Sequence, residues 1–329
     1  MHLTDPLHRL QRLAEHALSL WEIPQAATVR LINVAENTTY LVEAPGYRSI
    51  LRMHRTGYHS RRAIESELAW LDALGRDAVL EVPGYYRGRD GQAVQQAVIP
   101  DVAEPRFLVL FEFLEGAAPD ESGDLTAGFE ELGGLAARCH QQVMEWARPD
   151  PFERLTWDAE AVFGPDPTWG NWRDAPEVDA EIRATLEHVE ITVCARLAHY
   201  GKTPDRYNLI HADMRLANLL VDGNQTRVID FDDCGLGWFM YDFAAAISFI
   251  EDDPRVPDWR AAWLRGYTRV RDLTPQDIDE IDTLIMLRRM ALLAWIGSHM
   301  DAPEPQALAP GFAATTARLG AAYLRKMGA

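Results

Sequence analysis

The run His211-Ala-Asp213-Met-Arg215-Leu-Ala-Asn218, followed by Val228-Ile-Asp230-Phe-Asp232-Asp233, holds the side chains of this sequence best suited to chemistry. Asp213 and Asn218 stand five positions apart and Asp230 follows twelve positions later, an H-x-D-(x4)-N-(x11)-D pattern. A carboxylate such as Asp213 can accept the proton of a hydroxyl. An amide oxygen from Asn218 and a second carboxylate from Asp230 can hold a hard cation such as Mg²⁺. Phosphoryl transfer asks little more of a protein than this: an aligned hydroxyl, an oriented triphosphate and metal to spread the charge. Arg215, two residues after Asp213, is placed to neutralise charge on a transferring phosphoryl group.

These residues need elements to gather them. Tyr207-Asn-Leu-Ile210 is a short apolar approach to the loop. Residues 219–221 and 226–229 predict two short strands joined by the turn Asp222-Gly223-Asn224, so a hairpin carries Asn218 towards Asp230. Upstream, strand-like runs at 28–34, 38–43, 48–53, 81–87, 93–99 and 107–113 surround one helical pattern at 60–74. An amphipathic helix over residues 3–20, with Leu3, Leu7, Leu10, Leu13 and Ala17 at helical spacing, precedes them. The stretch 114–124 is rich in turn formers and reads as a crossing. After it, helical periodicity dominates at 125–146, 177–200, 240–250, 258–272, 275–300 and 311–326, with 302–310 as a connector. The expected fold class is α+β, with a small antiparallel lobe (1–113) and a larger helical lobe (114–329).

Composition excludes several functions. The 50 acidic and 32 basic residues give a formal net charge of −18, which argues against nucleic acid as a partner. An acidic surface suits a cationic substrate, and equally an ordinary acidic soluble protein. Cys139, Cys194 and Cys234 are far apart and odd in number, with neither disulfide framework nor zinc spacing. No apolar run approaches the ~20 residues of a membrane span, and the charged N-terminus is unlike a signal peptide. No membrane association and a cytoplasmic location are expected.

At the 211–233 motif the chain resembles the aminoglycoside phosphotransferase and choline kinase-like family, whose members share the bilobal protein-kinase fold. The Ile229-Asp230-Phe231-Asp232-Asp233 run and Tyr241-Asp242 look most like the branch holding homoserine kinase-like and stress-response kinase-like members. The resemblance implies an ATP- and Mg²⁺-dependent phosphotransferase acting on a hydroxyl of a small, amine-bearing acceptor such as an aminoglycoside, amino alcohol or homoserine-like molecule. A protein Ser/Thr kinase of the stress-response type and a non-catalytic nucleotide-binding regulator are the alternatives. In this reading Asp213 is the base, Asn218 and Asp230 hold Mg²⁺, His211 holds the loop and Asp242 braces the catalytic turn.

The resemblance also assigns a nucleotide side. Asn37, Thr38 and Thr39 fall where the family has its phosphate-covering loop, although this stretch has no glycine. The family's third-strand lysine is absent: the chain's only lysines are Lys202 and Lys326, and Arg52 stands in the matching place. Strand alternation puts Ile50 and Arg52 on one face, an apolar roof for a base beside a cation for phosphate. A buried arginine needs an acid, with Glu67 favoured and Glu65 the rival. Glu112 and Phe113 fall where backbone groups would meet an adenine edge. Residues 47–62 carry five arginines and no acid, which would draw a polyanion or protect a sheet edge. In the helical lobe, 163–173 with Trp169 and Trp172 is either a lid or an anchored loop. Glu251-Asp252-Asp253 is either amine-attracting or a solvated helix end.

Overall fold

The computed structural model describes residues 7–34, 37–119, 123–223 and 225–329. The chain divides into two compact units. The first takes in the chain up to Gly116 together with Arg148–Glu153, and the second comprises Ala117–Ala147 and Arg154–Ala329.

The first unit opens on α1 (Leu7–Ala17), followed by β1 (Thr28–Val34), β2 (Thr38–Ala44), β3 (Tyr47–Met53), α2 (Arg61–Arg76), β4 (Tyr85–Tyr86), β5 (Gln95–Ala97) and β6 (Arg106–Glu112). Its antiparallel sheet runs in the order β1-β2-β3-β6-β4, with β5 also pairing β6. Alternation sorts the side chains to two faces. Tyr40, Val42, Leu51, Met53, Leu108 and Leu110 join Leu10, Leu13, Ala14 and Ala17 of α1 in one core. Ile50 and Arg52 therefore lie on the opposite face. Ser60 caps α2, its hydroxyl accepting the Ala63 N–H at 3.0 Å. The return segment is tied to this helix: Glu153 N–H donates to Ser66 Oγ at 3.0 Å, and Ser60 Oγ donates to Glu153 at 2.7 Å.

The second unit holds α3 (Thr126–Glu145), β7 (Leu155–Trp157), α4 (Ala159–Phe163), α5 (Ala180–Tyr200), β8 (Tyr207–Ile210), β9 (Leu219–Asp222), β10 (Gln225–Val228) and β11 (Gly235–Trp238). Then come α6 (Tyr241–Ala246), α7 (Val256–Thr268), α8 (Pro275–Asp279), α9 (Ile281–Ser298), α10 (Pro303–Leu308) and α11 (Phe312–Met327). β9 and β10 form the expected hairpin, and β11 lies between β8 and β7. Helices α3 and α7 meet backbone to backbone: a Cβ on Gly133 would lie 2.0 Å from the Trp263 carbonyl oxygen, and one on Gly266 1.8 Å from that of Glu130. Among the described residues no helix is long and apolar enough to cross a membrane.

Several elements depart from the sequence expectations. The 81–87 and 93–99 runs yield only two- and three-residue strands, because β4 and β5 share β6 as partner and neither has room to extend. The 240–250 helix stops at Ala246, where the chain turns towards a left-handed residue, Phe249, at φ 72°. The 275–300 pattern is two helices, α8 and α9, joined at Glu280. The 302–310 connector contains α10. Of the expected N-terminal helix, Leu3 lies outside the described residues, as does Asn224 of the hairpin turn.

Candidate active site

β8 ends at buried Ile210 and the chain turns sharply at Ala212, whose φ of 66° is left-handed. That conformation costs an alanine ~1–2 kcal/mol. Asp242, in the first turn of α6, braces it. Its Oδ1 accepts the Ala212 N–H at 2.7 Å, and its Oδ2 accepts the His211 N–H at 3.3 Å. Oδ2 also meets His140 Nε2 at 2.9 Å, and both side chains are wholly buried. The carboxylate assigns the imidazole proton to Nε2, so Nδ1 accepts from the Tyr267 hydroxyl at 2.9 Å, which in turn accepts from Arg271 at 3.0 Å. Burial pushes the His140 imidazole below its ordinary pKa and keeps it neutral, although Asp242 opposes the shift.

The turn presents Asp213 with both oxygens engaged. Arg288 Nη2 donates to Oδ1 at 2.8 Å, while Asn218 Nδ2 and Arg215 Nε donate to Oδ2 at 2.9 and 3.3 Å. Asp213 in return holds the Arg215 guanidinium above its usual pKa. Asn218 Nδ2 also donates to the Asp213 carbonyl at 2.8 Å. With its nitrogen committed to Asp213, the amide oxygen of Asn218 is turned away from it. The second acid is brought up by backbone. Ile229 N–H donates to the Asn218 carbonyl at 3.0 Å, and the Ile229 carbonyl accepts from His211 Nε2 at 3.1 Å. Asp230 follows at φ 64°, with an exposed side chain. His211 Nδ1 accepts the Asp213 N–H at 3.3 Å, so this ring ties the turn at 211–213 to the backbone before Asp230.

An amide oxygen and a carboxylate on adjoining backbone suit a small oxygen-seeking cation that keeps water and phosphate ligands. Among the described residues no cluster of three His, Cys, Asp or Glu gathers as a metal cage, which is the other style of site. Asp232 and Asp233 are both buried.

In the first unit Arg52 points its Nη2 at both oxygens of Glu67, at 2.6 and 2.7 Å, and its guanidinium lies 4.8 Å from the Phe111 ring centre. Both partners are buried. Glu65, the rival, lies half exposed beside Arg61 and Arg62 at 3.9 and 3.8 Å. Thr39 pairs with Arg52 across the β2–β3 ladder, and Ile50 with Leu41. Buried Asn37 accepts the Arg55 N–H at 3.2 Å through Oδ1, while the loop residues Ala35 and Glu36 before it lie outside the described residues. Glu112 N–H donates to the Gly84 carbonyl at 2.8 Å, and Phe113 lies under Arg48 at 4.1 Å.

Two segments that the sequence left open between two readings are distinguished by their contacts. The three acids after α6 are all paired: Glu251 is buried against Arg289, Asp252 meets Arg318 at 3.0 Å, and Asp253 meets Arg255 at 2.8 Å. They are not a free amine trap: Glu251 is buried, whereas Asp252 and Asp253 form surface pairs at the helix end. The tryptophan segment is anchored, with the Trp169 carbonyl accepting from Ser298 at 2.6 Å and Trp172 Nε1 donating to Glu190 at 2.7 Å. Arg288 is the residue sequence reasoning missed. Its signal was present: an Arg288-Arg289 pair inside an otherwise apolar helix must find acids or pay a large desolvation cost.

A family model described as "Phosphotransferase enzyme family" matches residues 28–280. Amicoumacin kinase of Bacillus subtilis (strain 168) is 27% identical over 286 residues, covering 83% of this chain and 81% of that protein. The solved structure of a microcompartment-associated aminopropanol kinase is 43% identical, with a TM-score of 0.88 and 98% of each chain covered. An amicoumacin kinase solved with AMP-PNP and Ca²⁺ shares the fold at 22% identity and a TM-score of 0.76, covering 94% of this chain and 93% of the other.

Proposed function

Because this chain belongs to the phosphotransferase enzyme family, a family of kinases acting on alcohol groups, we propose that it moves the γ-phosphoryl group of ATP to the hydroxyl of a small amino alcohol of the aminopropanol type. The 43% identity to an aminopropanol kinase over 98% of both chains supports the acceptor class. The reading is carried by one observation: Asp213 and the Asn218 amide are locked to each other while the Asn218 carbonyl is bonded to the residue preceding Asp230.

In this reading Asp213 orients the acceptor hydroxyl and takes its proton as the new O–P bond forms and the bond from the γ-phosphorus to the β–γ bridging oxygen breaks, releasing ADP. Asn218 and Asp230 are the ligands for Mg²⁺, which when bound supplies charge neutralisation to the phosphates. Arg215 adds a fixed cation beside Asp213. In the small unit, Arg52 takes the place of the missing lysine for the α- and β-phosphates, with Glu67 fixing its fork. Ile50 supplies apolar contact to the base, and the Glu112 carbonyl and Phe113 N–H its hydrogen-bonding edge. Asn37, Thr38 and Thr39 supply hydroxyl and backbone donors to phosphate. No disulfide joins the three cysteines, which fits a reducing, nucleotide-rich cytoplasm.

The test is an acceptor panel of aminopropanols, ethanolamine, homoserine, aminoglycosides and a generic protein acceptor, each with Mg²⁺-ATP. ADP release and the ³¹P spectrum of the product are read. An aminopropanol is expected to give the highest kcat/KM. Phosphorylation of the protein acceptor alone would overturn the proposal.

A further inference from the structure

Arg288 sits in the middle of α9, where every neighbour in sequence except Arg289 is apolar or small. Its side chain is only 2% exposed. Nη2 donates to Asp213 Oδ1 at 2.8 Å and Nε to Ser248 Oγ at 3.0 Å. The guanidinium lies 5.1 Å from the Trp169 ring centre and 5.9 Å from that of Tyr241. The guanidinium also interacts with the buried Tyr241 hydroxyl, although the geometry is too poor for a good hydrogen bond. The next residue, Arg289, is committed to Glu251 and Thr316, so the two arginines grip opposite ends of the turn that follows α6. Phe249 lies within that turn at φ 72°, a conformation costly for a bulky side chain.

Resting on the reading of Asp213 as the hydroxyl-orienting base, we infer that Arg288 is a positioning residue for phosphoryl transfer. It fixes the Asp213 carboxylate from the side opposite Asn218. Without Arg288, Oδ1 would meet only Arg215 Nε, which lies 3.3 Å from both oxygens and donates to Oδ2, leaving the carboxylate freer to swing about its Cβ–Cγ bond. A second, fork-shaped donor on Oδ1, itself wedged between aromatic rings and anchored to Ser248, removes that freedom. The same contact makes Asp213 answer to the aromatic segment at Trp169 and to the turn at 248–249. Anything that shifts those two segments shifts the carboxylate. A lysine would supply charge at this place without the planar fork.

The experiment compares Arg288→Gln, Arg288→Lys, Asp213→Asn and the double variant Asp213→Asn/Arg288→Gln in the full chain, with Mg²⁺-ATP and the best acceptor of the panel. Arg288→Gln is expected to lose about 10²-fold in kcat, the loss expected of a misplaced catalytic group, with nucleotide affinity for AMP-PNP retained. Arg288→Lys recovers part of that. The decisive readout is coupling: in the Asp213→Asn background, Arg288→Gln has little left to remove. Wild-type kcat in Arg288→Gln, or a full independent loss on top of Asp213→Asn, overturns the positioning role and leaves the role of Asp213 standing. Wild-type turnover in Asp213→Asn alone overturns the base assignment instead. Ser248→Ala keeps the guanidinium and loses one anchor, so it serves if Arg288→Gln fails to fold. It is expected to lose ~3–10-fold in kcat, one net hydrogen bond, and no loss counts against the proposal.

Discussion

Asp242 accepts the backbone N–H of Ala212 at 2.7 Å, and that contact sustains a left-handed alanine beside the proposed base. The acid lies 29 residues downstream of Asp213 in sequence, yet it sets where Asp213 begins. Asp242→Asn retains the acceptor oxygen for Ala212 but puts an amide donor where Oδ2 accepted from His211 and His140. Asp242→Ala leaves the buried N–H groups of the turn without their acceptor, at a cost of ~1–3 kcal/mol. The alanine variant is expected to melt lower and to lose kcat more than the asparagine variant. Equal melting temperatures and equal kcat for the two would contradict the bracing role.

His140 gives a pH dependence with a defined sign. The imidazole is held below its ordinary value of about 6.5 by burial, against the pull of Asp242. As pH falls below 6.5 the unfolded chain binds a proton that the native chain refuses, so native stability declines. Asp242, Tyr267 and Arg271 are the polar and charged groups facing it, with Phe239 stacked at 4.3 Å. Urea midpoints measured from pH 7.5 to 5.5 should drop less steeply in His140→Gln than in the wild type. Parallel slopes would remove His140 from the account.

Glu67→Ala strands a buried guanidinium, and breaking such a pair costs ~3–5 kcal/mol. Replacing both partners, Arg52→Met with Glu67→Leu, is expected to restore most of the lost stability while nucleotide affinity stays low. The comparison separates packing from phosphate binding. Calorimetry showing normal AMP-PNP affinity in the double variant would show that Arg52 is structural only.

Helices α3 and α7 leave no room for a methyl group at their crossing. Gly133→Ala or Gly266→Ala would place a Cβ about 2 Å from a facing carbonyl oxygen, so the helices must part. Overpacking of this kind costs ~1–3 kcal/mol or more. Because α3 carries His140 and α7 carries Tyr267, the glycine variants should also lower kcat. A variant that melts as the wild type does would refute the close contact.

The 211–230 loop was legible in sequence because its residues lie close along the chain and a hairpin fixes their register. β1, β2 and β3 were legible because one face of each is apolar, and Glu67 because it shares a helical face with Ile64 and Leu71. What pattern could not give came from tertiary pairing. Arg288 reaches Asp213 across 75 positions, and the buried pair of Glu251 with Arg289 looks in sequence like a charged helix end. β4 and β5 read as longer strands because apolar alternation does not report how much of β6 remains to pair with. The end of α6 at Ala246 was hidden because the chain beyond it stays apolar while its backbone turns left-handed.

The central claim is that Asp213 acts on the acceptor hydroxyl and not on the nucleotide. Turnover with Mg²⁺-ATP and an aminopropanol, measured beside calorimetric binding of Mg²⁺-AMP-PNP, tests it in Asp213→Asn and Asp230→Ala together. The account predicts that Asp213→Asn binds nucleotide normally and loses ~10²–10⁴-fold in kcat, whereas Asp230→Ala weakens the binding itself. Asp213→Asn turning over at the wild-type rate, with nucleotide bound as usual, would contradict it.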